Sequence, residues 1–201
     1  AKRLLAQYEK VIYLDPDIYV YGTLRQVLDQ LDNHSVILTP HITSPIDDDR
    51  TPSELEFLNS GVYNLGFAAF NRSQSSGALL DWWEQRCLRL AYNDQPQGLF
   101  VDQKWMDFVP SFCSDALVLR DPAYNVAYWN LHERSISRHH GIYRVNGDHE
   151  LVFFHFSGLP PSGNETISKY QNRFTMSERG DLAVLFDDYR ARLHANEHAE
   201  Y

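Results

Sequence analysis

The chain has 201 residues, enough for one domain with a sizeable core. Apolar residues make up 43% of it and charged residues 22%, which excludes an intrinsically disordered protein. The net charge is −9 and no basic face is visible, so nucleic acid is not an expected partner. The two cysteines follow no metal-like or disulfide-like spacing, and no apolar run approaches the ~20 residues that span a membrane. We therefore expect a cytoplasmic location, with peripheral membrane association as a further option.

The first half of the chain alternates apolar strand patterns with helical ones. Predicted in order are a helix-like start over 1–10, a strand over 11–14, a helix over 24–31 and a strand over 36–39. An exposed, solvated loop with three consecutive aspartates is predicted over 43–56, followed by β-like residues 61–70 and a helix over 75–92.

The second half continues this alternation. We predict a short helix over 101–109 that ends at Pro110, a strand over 116–119 and a final helix over 178–194. Asn146-Gly147 stands between apolar runs at 142–145 and 151–154, which predicts a β-hairpin. Strands interleaved with helices indicate an α/β domain with a mixed sheet.

Asp15-Pro16-Asp17 is the first motif with chemical content, because a buried apolar strand delivers two carboxylates into a turn. Strand ends are where open α/β sheets place ligands. Two carboxylates this close repel each other unless a cation lies between them, and oxygen ligands suit Mg²⁺ or Mn²⁺. The alternative is an ordinary acidic turn, since Asp and Pro are good turn residues.

The residues around this motif resemble the metal-binding strand of GT-A-fold glycosyltransferases, most closely those of glycosyltransferase family 8. The resemblance starts at Val11–Ile18, with Gly22-Thr23-Leu24 shortly after. Further short matches follow in the family's order: Leu58-Asn59-Ser60-Gly61-Val62, which is similar to a strand start, Val101-Asp102-Gln103-Lys104, Tyr124-Asn125-Val126 and His155-Phe156-Ser157-Gly158. Together they cover roughly residues 11 to 158.

The resemblance implies a GT-A-like mixed sheet flanked by helices that lacks most of the N-terminal nucleotide-binding strands. Residues 1–201 would then be one domain, the C-terminal, catalytic part of a longer glycosyltransferase. The implied activity is transfer of a hexose from a nucleotide-diphosphate sugar, with UDP as the family's nucleotide, to an unknown glycan, lipid or protein acceptor with retention of configuration. Acceptor specificity is expected in the loops 40–57 and 159–175.

The resemblance also implies a set of site residues. The metal, Mn²⁺ or Mg²⁺, is expected on Asp15, Asp17 and His155, and the candidate catalytic residues are Asp102 and Gln103. Residues expected at the donor sugar or nucleotide are Asn59, Ser60, Gly61, Gly158 and Lys169.

One departure from the family and two alternative functions remain. No Lys-Pro-Trp follows Gly158, so Lys169 or Arg173 is the candidate for the cation that grips phosphate. A haloacid-dehalogenase-type phosphatase also places Asp-x-Asp at a strand end, but expects Gly-Thr or Gly-Val directly after it, whereas Gly22-Thr23 comes later here. A non-catalytic, transferase-like binding or scaffold module is the second alternative.

Overall fold

The computed structural model describes residues 1–160 and 165–196. Its strands are β1 Lys10–Leu14, β2 Ile18–Val20, β3 Val36–Pro40, β4 Tyr63–Asn71, β5 Asn93–Asp94, β6 Leu99–Phe100, β7 Leu117–Val118, β8 Ile136–His139, β9 Ile142–Val145, β10 His149–Glu150 and β11 Phe153–His155. Its α-helices are α1 Lys2–Leu5, α2 Arg25–Gln30, α3 Glu54–Ser60, α4 Gln74–Leu90, α5 Val109–Phe112 and α6 Ala183–Ala195. No helix within these ranges is long and apolar enough to cross a membrane.

A four-stranded mixed sheet in the order β1-β4-β3-β7 forms the centre. β4 runs antiparallel to both β1 and β3, whereas β7 is parallel to β3. Alternate residues of β3 and β4 face opposite sides: Leu38 and Phe70 pack with Leu79 of α4, and Ile37 and Phe67 pack with Val27 and Leu31 around α2. The predicted α/β class, a mixed sheet flanked by helices, is confirmed.

β4 carries a bulge where it passes the candidate site. Leu38 pairs with Ala68, whereas the next residue of β3, Thr39, pairs with Asn64. β4 therefore has extra residues opposite a single step of β3, and such bulges re-aim side chains near functional sites.

The C-terminal part builds a second layer against this sheet. β8, β9 and β10 form a three-stranded antiparallel sheet, and β11 pairs antiparallel with β2. Phe154 and Phe156, which flank His155, pack on Phe186 of α6. The last helix thus buries its apolar face beneath the segment that carries the candidate histidine.

The predicted hairpin is half right. Asn146 and Gly147 do form the turn, both with positive φ, and β9 pairs across it with β10. Phe153–His155, however, pairs with β2 rather than with β9, because this completely buried strand completes its hydrogen bonds against the segment that follows the aspartate motif.

Two other predicted boundaries and the predicted environment of Asp48 are corrected. Residues 54–60 are a helix with a Ser53–Glu56 capping box, so the loop predicted over 43–56 ends early and Leu58–Val62 is a helix end rather than a strand start. Pro110 lies in the first turn of α5 instead of ending a helix, since the N–H it lacks has no partner there anyway. Asp48 is not merely solvated, since it forms an ion pair with Arg173.

Candidate metal centre

Strand pairing brings Asp15, Asp17 and His155 together. The N–H of Asp15 donates to the carbonyl of Gly66 at 2.8 Å, which continues the β1–β4 ladder to the first carboxylate. A turn closed by Ile18 N–H on Asp15 C=O at 3.1 Å then reverses the chain into β2. His155 pairs with Ile18 in the β2–β11 register, and Phe156 N–H donates to Asp17 C=O at 2.9 Å. The backbone itself thus fixes the histidine beside both aspartates.

The side chains converge to the spacing of a metal site. His155 Nε2 lies 3.0 Å from Asp17 Oδ1 and 3.8 Å from Asp15 Oδ2. One ligand atom from each residue falls within 4.8 Å of the other two. His155 is buried, while both aspartates are partly exposed, so the group is open to solvent on the carboxylate side. Two carboxylates and one imidazole form a donor set that fits Mn²⁺ and also accepts Mg²⁺ through its oxygens.

The electrostatics favour the ionised form of Asp17. Partial burial by itself raises the pKa of Asp17, but the hydrogen bond and the charge of His155 outweigh it and leave the pKa below its ordinary value. Tyr13 donates to Asp15 Oδ1 at 2.6 Å, and this bond is the main reason that the pKa of Tyr13 rises to about 12. The tyrosine therefore stays a hydrogen-bond donor that orients one carboxylate oxygen, leaving the other toward His155.

The ring of His155 is held by contacts from two sides. The ring of Trp129 packs against it in a T-shaped contact, with a centroid distance of 5.2 Å and an interplanar angle of 88°. On another side stands Gly66, where an added Cβ would lie 2.6 Å from His155 Nδ1. His155 Nδ1 is buried and has no hydrogen-bond partner among the described residues. Packing, rather than a second hydrogen bond, orients this imidazole.

Asn64 is a residue of the site that the motif comparison missed. Its Oδ1 accepts from Gly66 N–H at 3.1 Å and from Asn125 Nδ2 at 3.0 Å, and it is buried. The chain contains two Asn-x-Gly triplets, 59–61 and 64–66, and the second one, inside β4, lies against His155. A glycine inside an apolar strand marks a close approach, which is the signal that could have identified it.

The predicted triplet at 59–61 lies at the end of α3. Asn59 is exposed on the last turn of this helix, Ser60 lines a cleft described below, and Gly61 ends the helix with a φ of 117°. Of these three, Ser60 is the residue that the structure brings to a cavity wall.

Gln103 and Asp102 lie on the loop between β6 and a 3₁₀-helix at Lys104–Phe108. Gln103 accepts from Leu65 N–H and donates to Ser60 C=O, each at 3.0 Å, so it braces the α3–β4 connection. Asp102 is an exposed residue, yet desolvation of its carboxyl, with the charge of Asp15 adding to it, raises its pKa above the ordinary value. The carboxyl of Asp102 therefore lies within the electrostatic range of Asp15.

Gly158 and Lys169 meet through their backbones. Lys169 N–H donates to Gly158 C=O at 2.9 Å, and the Lys169 ammonium lies 5.0 Å from the ring centroid of Tyr170. Arg173, the other candidate cation, is not available for phosphate. Its buried guanidinium donates to Asp48 at 2.8 and 2.9 Å and to the carbonyl of Pro52 at 2.8 Å.

Two cavities of different size lie beside the candidate metal centre. One of about 190 Å³ lies between Asp17, Gly158 and α6 and includes Arg190 and His194. The other, of about 520 Å³, contains Ser157, Trp129 and Asn64. Ser157 and Gly158 are successive residues, so the segment after His155 is the partition between the two cavities.

Comparison with known proteins gives relatives without an assigned role. No family model matches the chain. It is 28% identical over 153 residues to the uncharacterized protein YfnF of Bacillus subtilis (strain 168), covering 76% of this chain and 50% of YfnF. It is 22% identical over 153 residues to the uncharacterized protein YfnD of the same organism, covering 75% and 47%. The chain thus spans about half the length of the curated relatives it matches, and its assignment as the C-terminal part of a longer enzyme stays a prediction.

Among solved structures, the chain is similar to the crystal structure of a glycosyltransferase involved in the glycosylation of the major capsid of PBCV-1. The TM-score is 0.44 and the sequence identity 14%, and the match covers 80% of this chain and 65% of that chain.

Proposed function

We propose that this chain is the catalytic part of a metal-dependent glycosyltransferase that moves a hexose from a nucleotide-diphosphate sugar to an acceptor. The observation that carries the proposal is the Asp15–Asp17–His155 group, whose ligand atoms lie within 4.8 Å of one another just after β1, a partly buried edge strand. The residue types, their order along the chain and the family resemblance agree on the same three positions.

A metal ion at this centre would suit a nucleotide diphosphate, because the diphosphate is an anion. The protein carries a net charge of −9, so an anionic substrate needs local positive charge. When bound, Mn²⁺ or Mg²⁺ would neutralise the diphosphate and act as a Lewis acid toward the leaving nucleotide. Asp15, Asp17 and His155 hold the ion, and Lys169, tied by its backbone to Gly158, supplies a further positive charge near the same segment.

The remaining residues act on the sugar. Asp102 offers a carboxylate for the positive charge that develops at the anomeric carbon. Gln103 uses one N–H and its carbonyl to brace the backbone and retains a second N–H for a donor hydroxyl. Asn59, Ser60, Gly61 and Gly158 complete the proposed donor-binding set. UDP as the nucleotide and retention of configuration are included in the proposal because of the resemblance to glycosyltransferase family 8.

Release of nucleoside diphosphate from a panel of UDP-, GDP- and dTDP-hexoses tests the proposal, with Mn²⁺ or with chelator. Asp17→Asn is expected to lower the metal-dependent rate by at least about 100-fold, because a Lewis acid contributes several kcal/mol to such a step. Asp47→Asn is the matched control: it makes the same charge change at an exposed loop position. Full activity of Asp17→Asn, or trapping of an aspartyl-phosphate on Asp15, would overturn the assignment.

A further inference from the structure

The cleft of about 520 Å³ beside the metal centre has the composition of a carbohydrate site. Aromatic rings and neutral hydrogen-bonding groups dominate its wall. The aromatic lining residues are Phe57, Phe100, Tyr128, Trp129 and Tyr170. The neutral polar ones are Thr51, Ser60, Asn64, Asn93, Gln95, Gln103 and Ser157. Pyranose rings present apolar C–H faces and a rim of hydroxyls, and amide and hydroxyl side chains pair with such a rim in both directions.

The charge of the wall limits the kind of ligand. Among its described residues it contains no lysine or arginine and a single carboxylate, Glu56. Hydrogen bonds from Ser53 to Glu56 keep the pKa of that carboxyl low, so it is ionised at neutral pH. His41, which also lines the cleft, is neutral there because burial lowers its pKa to about 4. In the absence of metal, the ionised carboxylates of Glu56 and Asp17 disfavour a phosphate or carboxylate on the ligand. The positive charge beside the cleft is the Lys169 ammonium, which lies 5.0 Å from the ring centroid of Tyr170.

Unpaired polar atoms lie in the same wall. His41 Nδ1 and Trp129 Nε1 are both buried and lack a hydrogen-bond partner among the described residues. Their rings line the cleft while these nitrogens lie below its surface. The ring centroids of His41 and Trp129 lie 5.2 Å apart, and Trp129 also packs against His155. This end of the cleft therefore adjoins the candidate metal centre.

The outer end of the cleft is formed by two loops, one containing Asp48 and Thr51 and the other containing Asn172 and Arg173, which are linked by hydrogen bonds and an ion pair. Asp48 and Arg173 form a bidentate ion pair, and Thr51 and Asn172 exchange two hydrogen bonds of 2.7 and 3.1 Å. These contacts hold Thr51, Pro52 and Tyr170 in one wall. Tyr170 is about half exposed and packs directly against Gly158, so its ring links the outer wall to the His155 segment.

We infer that the outer end of this cleft, between Tyr170 and Glu56, binds the acceptor, and that the acceptor is a neutral saccharide. The role of the bound sugar as an acceptor rests on the proposed transferase function. The binding of a neutral sugar itself does not depend on metal or nucleotide. The acceptor ring lies along Tyr128 and Tyr170, whose centroids are 6.2 Å apart, and the transferred hexose lies toward His155.

Saturation-transfer NMR on the whole chain, in chelator and without nucleotide, tests the inference. The probes are the neutral methyl glycosides of glucose, galactose, mannose and N-acetylglucosamine, with glucuronic acid and glucose 6-phosphate as charged counterparts. At least one neutral glycoside is expected to bind, and neither charged sugar is expected to bind as well. Tyr170→Ala should weaken the neutral sugar at least about tenfold, since loss of ring stacking costs ~1.4 kcal/mol or more.

Matched variants distinguish loss of the Tyr170 ring from a general effect on folding. Tyr170→Phe keeps the ring and should keep the affinity. Tyr8→Ala removes a similarly exposed tyrosine that does not line the cleft and should leave the affinity unchanged. Binding that favours a charged sugar, an unchanged affinity in Tyr170→Ala, or no binding of any neutral glycoside would overturn the inference. Neutral-sugar binding together with failure of every nucleotide-sugar assay would instead refute the transferase and leave the saccharide cleft in place.

Discussion

Gly66 offers a sharp test of how His155 is positioned. Its φ is not in the left-handed region, so alanine fits the backbone and only the added methyl matters. That Cβ would lie 2.6 Å from His155 Nδ1 and 2.8 Å from Asn64 Oδ1. His155 Cε1 would lie closer still, so to reach an ordinary contact of ~3.5 Å the imidazole must move by more than about 0.9 Å. Asp17 at 3.0 Å and the Trp129 ring confine that movement.

We expect Gly66→Ala to lower the free energy of unfolding by about 1–3 kcal/mol, the usual cost of overpacking a core. We also expect it to weaken Mn²⁺ binding by about 10–100-fold, the size of effect seen when the support of a metal ligand is disturbed. Urea unfolding followed by tryptophan fluorescence measures the first quantity, and calorimetric titration of Mn²⁺ into folded protein measures the second.

Gly77→Ala is the matched control for this change. Gly77 stands inside α4, and apart from the backbone of that helix no heavy atom of the described residues lies within 4 Å of where an added methyl would go. Alanine there should raise stability by about 0.5–1 kcal/mol and leave Mn²⁺ affinity unchanged. If Gly66→Ala bound Mn²⁺ with wild-type affinity, His155 would not be the ligand that the geometry indicates.

Three further predictions concern the surroundings of the site. The pKa of buried His41 is about 4 against 6.5 in the unfolded chain, so the unfolded state binds an extra proton in between and stability falls by about 3 kcal/mol as the pH drops through that window. His41→Gln should remove this part of the pH dependence in urea titrations, and an equally steep profile in the variant would refute the cause. Asp48→Asn should lower the urea midpoint at neutral pH, and because Arg173 lowers the pKa of Asp48 to about 2, the difference from wild type should vanish as the pH falls from about 4 toward 2; a difference that persists there would contradict the ion-pair account. Gly158→Ala should cost more than about 1 kcal/mol, since its φ is +70° and the methyl would meet Tyr170 at 2.5 Å and Ser168 Oγ at 2.6 Å; unchanged thermal stability would contradict this packing.

The strands of the central sheet were predictable because their pattern is local. Val11–Leu14 and Val36–Thr39 are apolar runs bounded by turn residues, and both fold as strands. The second is buried, whereas the first, expected to be buried, is a partly exposed edge strand because only β4 pairs with it. Asn146-Gly147 likewise fixes its turn, because both residues accept positive φ. The partner of Phe153–His155 was not predictable, because a short buried strand can complete its hydrogen bonds with β2 or β9 and only tertiary packing selects between them.

The candidate site shows the same division. Asp15 and Asp17 stand one residue apart, so their proximity follows from the sequence alone. His155 lies 138 residues beyond Asp17 in the chain (155 − 17), and only the β2–β11 register brings them to 3.0 Å. Asn64 was missed because the chain offers two Asn-x-Gly triplets, and only the bulge in β4 shows that the second one faces the histidine. Arg173 was an open candidate for phosphate because nothing in its sequence neighbourhood reveals Asp48.

Calorimetric titration of Mn²⁺ into the wild-type chain, Asp17→Asn and Asp47→Asn tests the central claim most directly, followed by UDP in the presence of each metal-loaded protein. We predict one Mn²⁺ site in the wild type and in Asp47→Asn, its loss in Asp17→Asn, and UDP binding only where Mn²⁺ binds. Equal Mn²⁺ affinity in the wild type and Asp17→Asn, or no Mn²⁺ binding by the folded wild-type chain, would contradict the claim that Asp15, Asp17 and His155 form a metal centre.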